Sequence, residues 1–149
     1  MDIRKYTDIE GYTTGELITT ADRVRREHAG PRIPTCGIIN ARSGACPEDC
    51  KYCAQSSRHA TSVREYPLVE KEAIIEQARQ AAARGSSHFG IVTSGNRLNA
   101  KEIEAIAAAV KDISSDIGIK PCASLGALSY GDLARLKDAG LVRYHHNIE

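Results

Sequence analysis

Three cysteines fall within eight residues, in the run Cys46-Pro47-Glu48-Asp49-Cys50-Lys51-Tyr52-Cys53, separated by three residues and then by two. A flexible loop gains nothing from crowded thiols, but as thiolates they are ligands for a soft metal centre. A structural zinc site closes four ligands around its ion. Three cysteines would need a fourth donor for that purpose, for which His59 and Cys36 are the candidates. The same three suit a cubane iron–sulfur cluster with three irons tied to the protein and the fourth left open, and an open iron is a reactive position.

Composition sets the compartment and narrows the partners. The chain has 149 residues and five cysteines, an odd number. The opening Met1-Asp2-Ile3-Arg4-Lys5-Tyr6 has no apolar stretch after its charges, so it does not read as a secretory signal. Reduced thiols in a cytoplasmic protein are therefore expected, and metal binding or catalysis outranks disulfides. Twenty basic and 19 acidic residues give a net charge of +1, no electrostatic case for nucleic acid or an anionic membrane surface. Aromatic residues make up 5%, without tryptophan, which argues against a base-stacking platform. No apolar run is long enough to span a membrane.

The elements that must position the thiols follow from hydrophobic period. After a polar lead-in over residues 1–14, Leu17, Ile18, Ala21 and Val24 recur at helical spacing, predicting a helix over 15–28 that Gly30-Pro31 ends. Arg23-Val24-Arg25-Arg26 reads as a solvated face of it. Cys36-Gly37-Ile38-Ile39 marks a short buried strand within 33–40, and the cysteine loop follows directly. Leu68, Ile74, Ile75, Ala78 and Ala82 give a helix over about 70–84 closed by Gly85. A second buried strand runs over 88–93 and leaves through Ser94-Gly95-Asn96. Ile103, Ile106, Ala107, Val110 and Ile113 mark the next helix, with Asn99 and Glu102 placed as a capping pair. A third strand covers 119–125, Ser129 and Asp132 open a short helix that Gly140 closes, and a fourth strand covers 141–148.

Regular alternation of short apolar strands with amphipathic helices means α/β architecture with a parallel sheet. Four strands make either a small open sheet or the first half of an eight-stranded (β/α) barrel. The final strand has no helix after it to cover it, so the second is expected: residues 1–30 as lead-in and helix, and 31–149 as half of a partial TIM-type barrel. In both architectures ligands sit at the carboxyl ends of the strands. The cysteine loop, Thr93-Ser94-Gly95-Asn96, Cys122 with Ser124, and Asn147 with Glu149 all collect there.

The triple-cysteine motif, with Tyr52 before its last cysteine, resembles that of the radical S-adenosylmethionine enzymes. The run from Asn40 to Arg58, Cys122-Ala123-Ser124-Leu125-Gly126 and Tyr144-His145-His146-Asn147-Ile148-Glu149 are similar to blocks of the biotin synthase family, in the same order. The resemblance covers about residue 20 to the end. It implies a barrel fold, a [4Fe–4S] cluster on Cys46, Cys50 and Cys53, and S-adenosylmethionine as co-substrate. It also implies sulfur insertion into dethiobiotin, started by a 5′-deoxyadenosyl radical. By the same resemblance, Cys122 matches a ligand of a second, auxiliary iron–sulfur cluster, and Asn147 a substrate-binding residue. Glu149 matches an acid that bonds the adenosine ribose, and Thr93-Ser94-Gly95 the contact with the methionyl end of S-adenosylmethionine. Tyr52 is expected to shape the nucleoside contact. An electron donor such as flavodoxin or ferredoxin and a homodimer of the full-length protein are implied as well. The alternatives are a related radical enzyme with another substrate, such as a metallocofactor maturation enzyme, and a metal-stabilised binding module without turnover.

Two features depart from the family's pattern. Many members have a cysteine on the second strand after its aromatic residue; here Gly90 follows Phe89. Glycine cannot bind iron, and Cys36 is the expected compensation, completing an auxiliary cluster with Cys122. The family's C-terminal half is not in this chain, which by itself is expected to be inactive. Of the remaining polar residues, His145 and His146 are adjacent on a strand and should face opposite ways, one into the barrel and one outward. Glu48 and Asp49 read as loop-structuring acceptors, and Gln55-Ser56-Ser57-Arg58 as either loop structure or contacts to the cluster or cofactor.

Overall fold

In a computed structural model the described residues are 10–147. The chain divides after Ile33 into two units. The first holds α1 (Thr14–Ala29), opened by a capping box. The Thr13 hydroxyl accepts from the Glu16 backbone N–H, and the Glu16 carboxylate accepts from the Thr13 N–H at 2.8 Å. Most of the lead-in expected over 1–14 lies outside the described residues.

The second unit runs β1 (Cys36–Arg42), α2 (Lys71–Ala83), β2 (His88–Thr93), α3 (Ala100–Asp112), β3 (Lys120–Ser124), α4 (Tyr130–Asp138) and β4 (Arg143–Tyr144). The four strands form one parallel sheet in the order β1-β2-β3-β4. Each strand pairs with the next in sequence, so the winding never reverses, as it must in a doubly wound sheet. The helices keep to one face: α2 packs on β1, β2 and α3, and α3 on α4. That face is the core, where Ala41, Phe89, Ile91, Ala123 and Leu125 of the sheet side meet Ile74, Ala78, Ile103, Ile106, Val110 and Leu136 of the helices. A singly wound parallel sheet with helices on one side is one arc of a barrel.

Local chemistry sets the boundaries. Asn99 caps α3, its side chain accepting from the Glu102 N–H at 3.0 Å while the Glu102 carboxylate accepts from the Asn99 N–H. Ser129 caps α4 through the Asp132 N–H. The sequence pattern did not show that α3 ends in a π-helical turn, Ile113–Ile117, closed by Gly118 in the left-handed region.

Two strands differ from expectation. The first runs to Arg42 and is buried on one face only: Ala41 lies in the core, while Cys36, Ile38 and Asn40 are exposed, with Ile38 at 67%. It is an edge strand whose alternate residues face away from the helices, so an apolar run there is not evidence of burial on both sides. The fourth strand is only Arg143–Tyr144, rather than 141–148, because its register pairs with β3 are Cys122 with Arg143 and Ala123 with Tyr144. Ile148 and Glu149 lie outside the described residues.

Candidate functional site

The cysteine loop is tied to itself by its own backbone and by residues 55–58. Cys46 N–H donates to Gln55 O (3.1 Å), and Cys46 O accepts the N–H and the hydroxyl of Ser57. Cys53 N–H donates to Cys50 O at 2.9 Å. Ser56 Oγ donates to Glu48 O, and Arg58 Nε to Pro47 O. Gln55 Oε1 accepts from Ser43 Oγ and Gly44 N. Gln55-Ser56-Ser57-Arg58 therefore hold the loop in shape. Asp49 acts as the expected acceptor, taking Lys51 Nζ and bonding His59 Nε2, while His59 Nδ1 bonds Cys53 O. Sequence reasoning considered His59 only as a metal donor. Its spacing from Asp49 gives no signal of this bridge.

A cavity of about 400 Å³ opens at the carboxyl ends of the strands. Cys46, Cys50 and Cys53 border it, with Glu48 and Gln55 from the same loop. Asn40 of β1 is there, two residues before that strand's end; Thr93 ends β2 and Ser94 and Gly95 follow it, Ser124 ends β3, and His146 and Asn147 follow β4. Four segments far apart in sequence thus meet at one mouth. Of the predicted site residues, Thr93, Ser94, Gly95, Asn147 and the three clustered cysteines are brought together. Tyr52 is not on the cavity wall; it is 76% exposed. Both histidines after β4 are exposed; His146 borders the cavity and His145 is not among the residues that line it. Strand β4 itself ends at Tyr144.

Cys36 and Cys122 lie apart from that cavity, on the sheet face opposite the helices. Ile38, Gly90, Cys122 and Arg143 form one row across all four strands. A Cβ built on Gly90 would lie 4.0 Å from Cys36 Sγ, so the sulfur of Cys36 leans over the space that a side chain at position 90 would enter. Burial pushes the Cys122 thiol up; Arg143 opposes this and Cys36 adds to it.

The residues fit an iron–sulfur cluster and a polar co-substrate. All five cysteines are described and no disulfide joins them. Thr93 Oγ1 is buried at the cavity and, among the described residues, has no hydrogen-bond partner, which is costly unless something bound there completes it. Among the described residues no three His, Cys, Asp or Glu side chains come together closely enough to hold a single ion, and both His59 ring nitrogens are engaged.

Residues 41–149 match the Radical SAM superfamily model. The chain belongs to the radical SAM superfamily. Its relatives include biotin synthases of Trichlorobacter lovleyi (46% identical over 144 residues, 96% of this chain and 43% of the relative), of Oleidesulfovibrio alaskensis (50% over 133 residues, 89% and 41%) and of Thermotoga petrophila (46% over 145 residues, 97% and 48%). The chain spans less than half the length of these relatives. Among solved structures, a methylornithine synthase superposes with a TM-score of 0.69 at 17% identity, over 97% of this chain and 42% of that one. A maturase of the [FeFe]-hydrogenase superposes with a TM-score of 0.65 at 16% identity, over 91% and 31%. These two likenesses establish the fold, a partial barrel of the TIM type.

Proposed function

We propose that this chain is the N-terminal part of a biotin synthase-type enzyme that inserts sulfur into dethiobiotin. The observation that carries the reading is the cavity itself, where three thiols, an unpartnered buried hydroxyl and Asn147 face one another at the strand ends. Cys46, Cys50 and Cys53 would hold a [4Fe–4S] cluster with one iron open, which with S-adenosylmethionine supplies a 5′-deoxyadenosyl radical for hydrogen abstraction.

The chain's own residues then bind, orient and exclude. Thr93 Oγ1 offers a hydroxyl to the co-substrate, and Ser94-Gly95 form the wall beside it, for the methionyl end. Asn147 presents an amide, which can both donate to and accept from the urea-like ring of dethiobiotin. Glu149 is assigned to the ribose and Tyr52 to the outer rim of the nucleoside contact. The packed core behind β2 and β3 keeps water from that side.

Cys36 and Cys122 are assigned to an auxiliary iron–sulfur cluster, the sulfur of Cys36 standing in for a ligand that Gly90 cannot provide. Turnover is assigned to a protein of the relatives' length, cytoplasmic, homodimeric and reduced by a flavodoxin or ferredoxin, with no nucleic-acid partner. This chain alone is expected to bind its cofactors without turning over.

The test is anaerobic reconstitution followed by iron counting and electron paramagnetic resonance of the reduced protein. Adding S-adenosylmethionine is expected to change the spectrum, and dethiobiotin is expected to raise 5′-deoxyadenosine release by the full-length protein. An unchanged spectrum, or release indifferent to dethiobiotin, overturns the reading. Cys36→Ser is expected to lower iron per chain while leaving the S-adenosylmethionine response intact; unchanged iron and turnover would remove the assignment of Cys36.

A further inference from the structure

The wall formed by Ser94, Gly95 and Asn96 is loop, held by hydrogen bonds to Arg42, Gly44 and Ala127. Arg42, the last residue of β1, reaches behind it. Its Nε and Nη2 both donate to Ser94 O, at 3.0 and 2.5 Å, and Nη2 also donates to Arg97 O at 3.2 Å. Its Nη1 donates to Glu102 Oε1 at 2.9 Å, and both side chains are only 19% exposed. Glu102 is itself fixed, because its other carboxylate oxygen accepts from the Asn99 N–H that opens α3. Gly95 has φ of +90°, and a Cβ there would lie 2.6 Å from Arg42 Nη2, so the guanidinium occupies the room that a side chain would need. Ser94 Oγ donates to Gly44 O at 2.7 Å, and Asn96 O accepts from Ala127 N at the same distance.

We propose that Arg42, braced by Glu102, is a positioning residue for the bound co-substrate. It sets the backbone of residues 94–97 so that the wall beside Thr93 presents fixed polar atoms to the methionyl end of S-adenosylmethionine. The inference rests on the reading of the cavity as a site for that molecule. Arginine is suited to the task because one planar group serves three acceptors in fixed directions, which an ammonium cannot do. A preset wall avoids ordering a loop on binding, so the cost of losing the clamp falls on affinity.

The experiment compares the reconstituted chain with Arg42→Met, Arg42→Lys and Glu102→Gln. It measures iron per chain, thermal unfolding and the dissociation constant of S-adenosylmethionine from the spectral change of the reduced cluster. Arg42→Met is expected to keep the wild-type iron content and to weaken binding about tenfold or more, since small misplacements of positioning groups have effects of that order. Arg42→Lys and Glu102→Gln are expected to fall between Arg42→Met and wild type. Wild-type affinity in Arg42→Met overturns the proposal. So does iron lost in step with affinity in all three variants, which would make Arg42 general scaffold. If Arg42→Met does not fold, Arg42→Lys and Glu102→Gln decide by the same criteria. A wild-type chain whose spectrum ignores S-adenosylmethionine instead removes the reading of the cavity, and the proposal with it.

Discussion

The phenol of Tyr144 joins the ends of two strands. It donates to Gly126 O at 2.5 Å and accepts from Leu125 N at 3.3 Å. Burial raises its ionisation above the ordinary value of 10.0, opposed by the Leu125 N–H. A phenol with a raised folded value keeps its proton better folded than unfolded. Its contribution is therefore complete below about pH 10 and is lost as pH climbs through the folded value. Tyr144→Phe is expected to cost about 1 kcal/mol near neutrality, leaving two backbone groups without this partner, and to flatten the decline of stability above pH 10. Urea unfolding at several pH values measures both. At this scale the sequence showed the three clustered thiols, but gave no sign that Tyr144 or Arg42 would brace neighbouring loops, because each acts on backbone atoms many positions away.

Among the elements, the cysteine loop has its shape set by hydrogen bonds to the residues that flank it. Gln55 is its keystone, accepting from both Ser43 and Gly44. Gln55→Ala is expected to leave the sheet and its cooperative unfolding in place, because neither β1 nor β2 depends on it, while lowering retained iron by about half or more, in line with the ten- to hundredfold effects of partners that orient metal ligands. Far-ultraviolet circular dichroism and iron assay separate the two. The helices were legible from sequence because caps and apolar spacing act within a few residues, as at Asn99 and Glu102. The end strands were less so: Leu141 to Ile148 has strand composition, but among the described residues the paired strand is Arg143–Tyr144, with Val142 and His145 each adding one backbone hydrogen bond to β3.

For the molecule as a whole, the sheet has one face sealed by helices and one that is not. Ile91 is fully buried on the sealed side and Ile38 is 67% exposed on the other. Ile91→Ala is expected to cost about 2–4 kcal/mol, by lost contacts and a cavity, whereas Ile38→Ser should change the stability of this chain by less than about 0.5 kcal/mol. Denaturant unfolding of the two variants is the measurement. Equal costs would mean that the face carrying Cys36, Gly90 and Cys122 is covered by something other than what is described.

From the amino-acid order alone came the triple-cysteine motif, the capped helices, the β-α alternation and hence a parallel sheet with that motif at its carboxyl edge. These are short-range matters, settled by thiol spacing, helical period and residues three apart. Folding decided which distant groups share a surface. It placed Cys46, Cys50 and Cys53 at one cavity with Thr93 and Asn147, kept Cys36 and Cys122 off its wall on neighbouring rows of the sheet, and turned Tyr52 outward. That separation is a consequence of strand register and of which sheet face each side chain takes, and both are set by packing between segments that no local pattern connects.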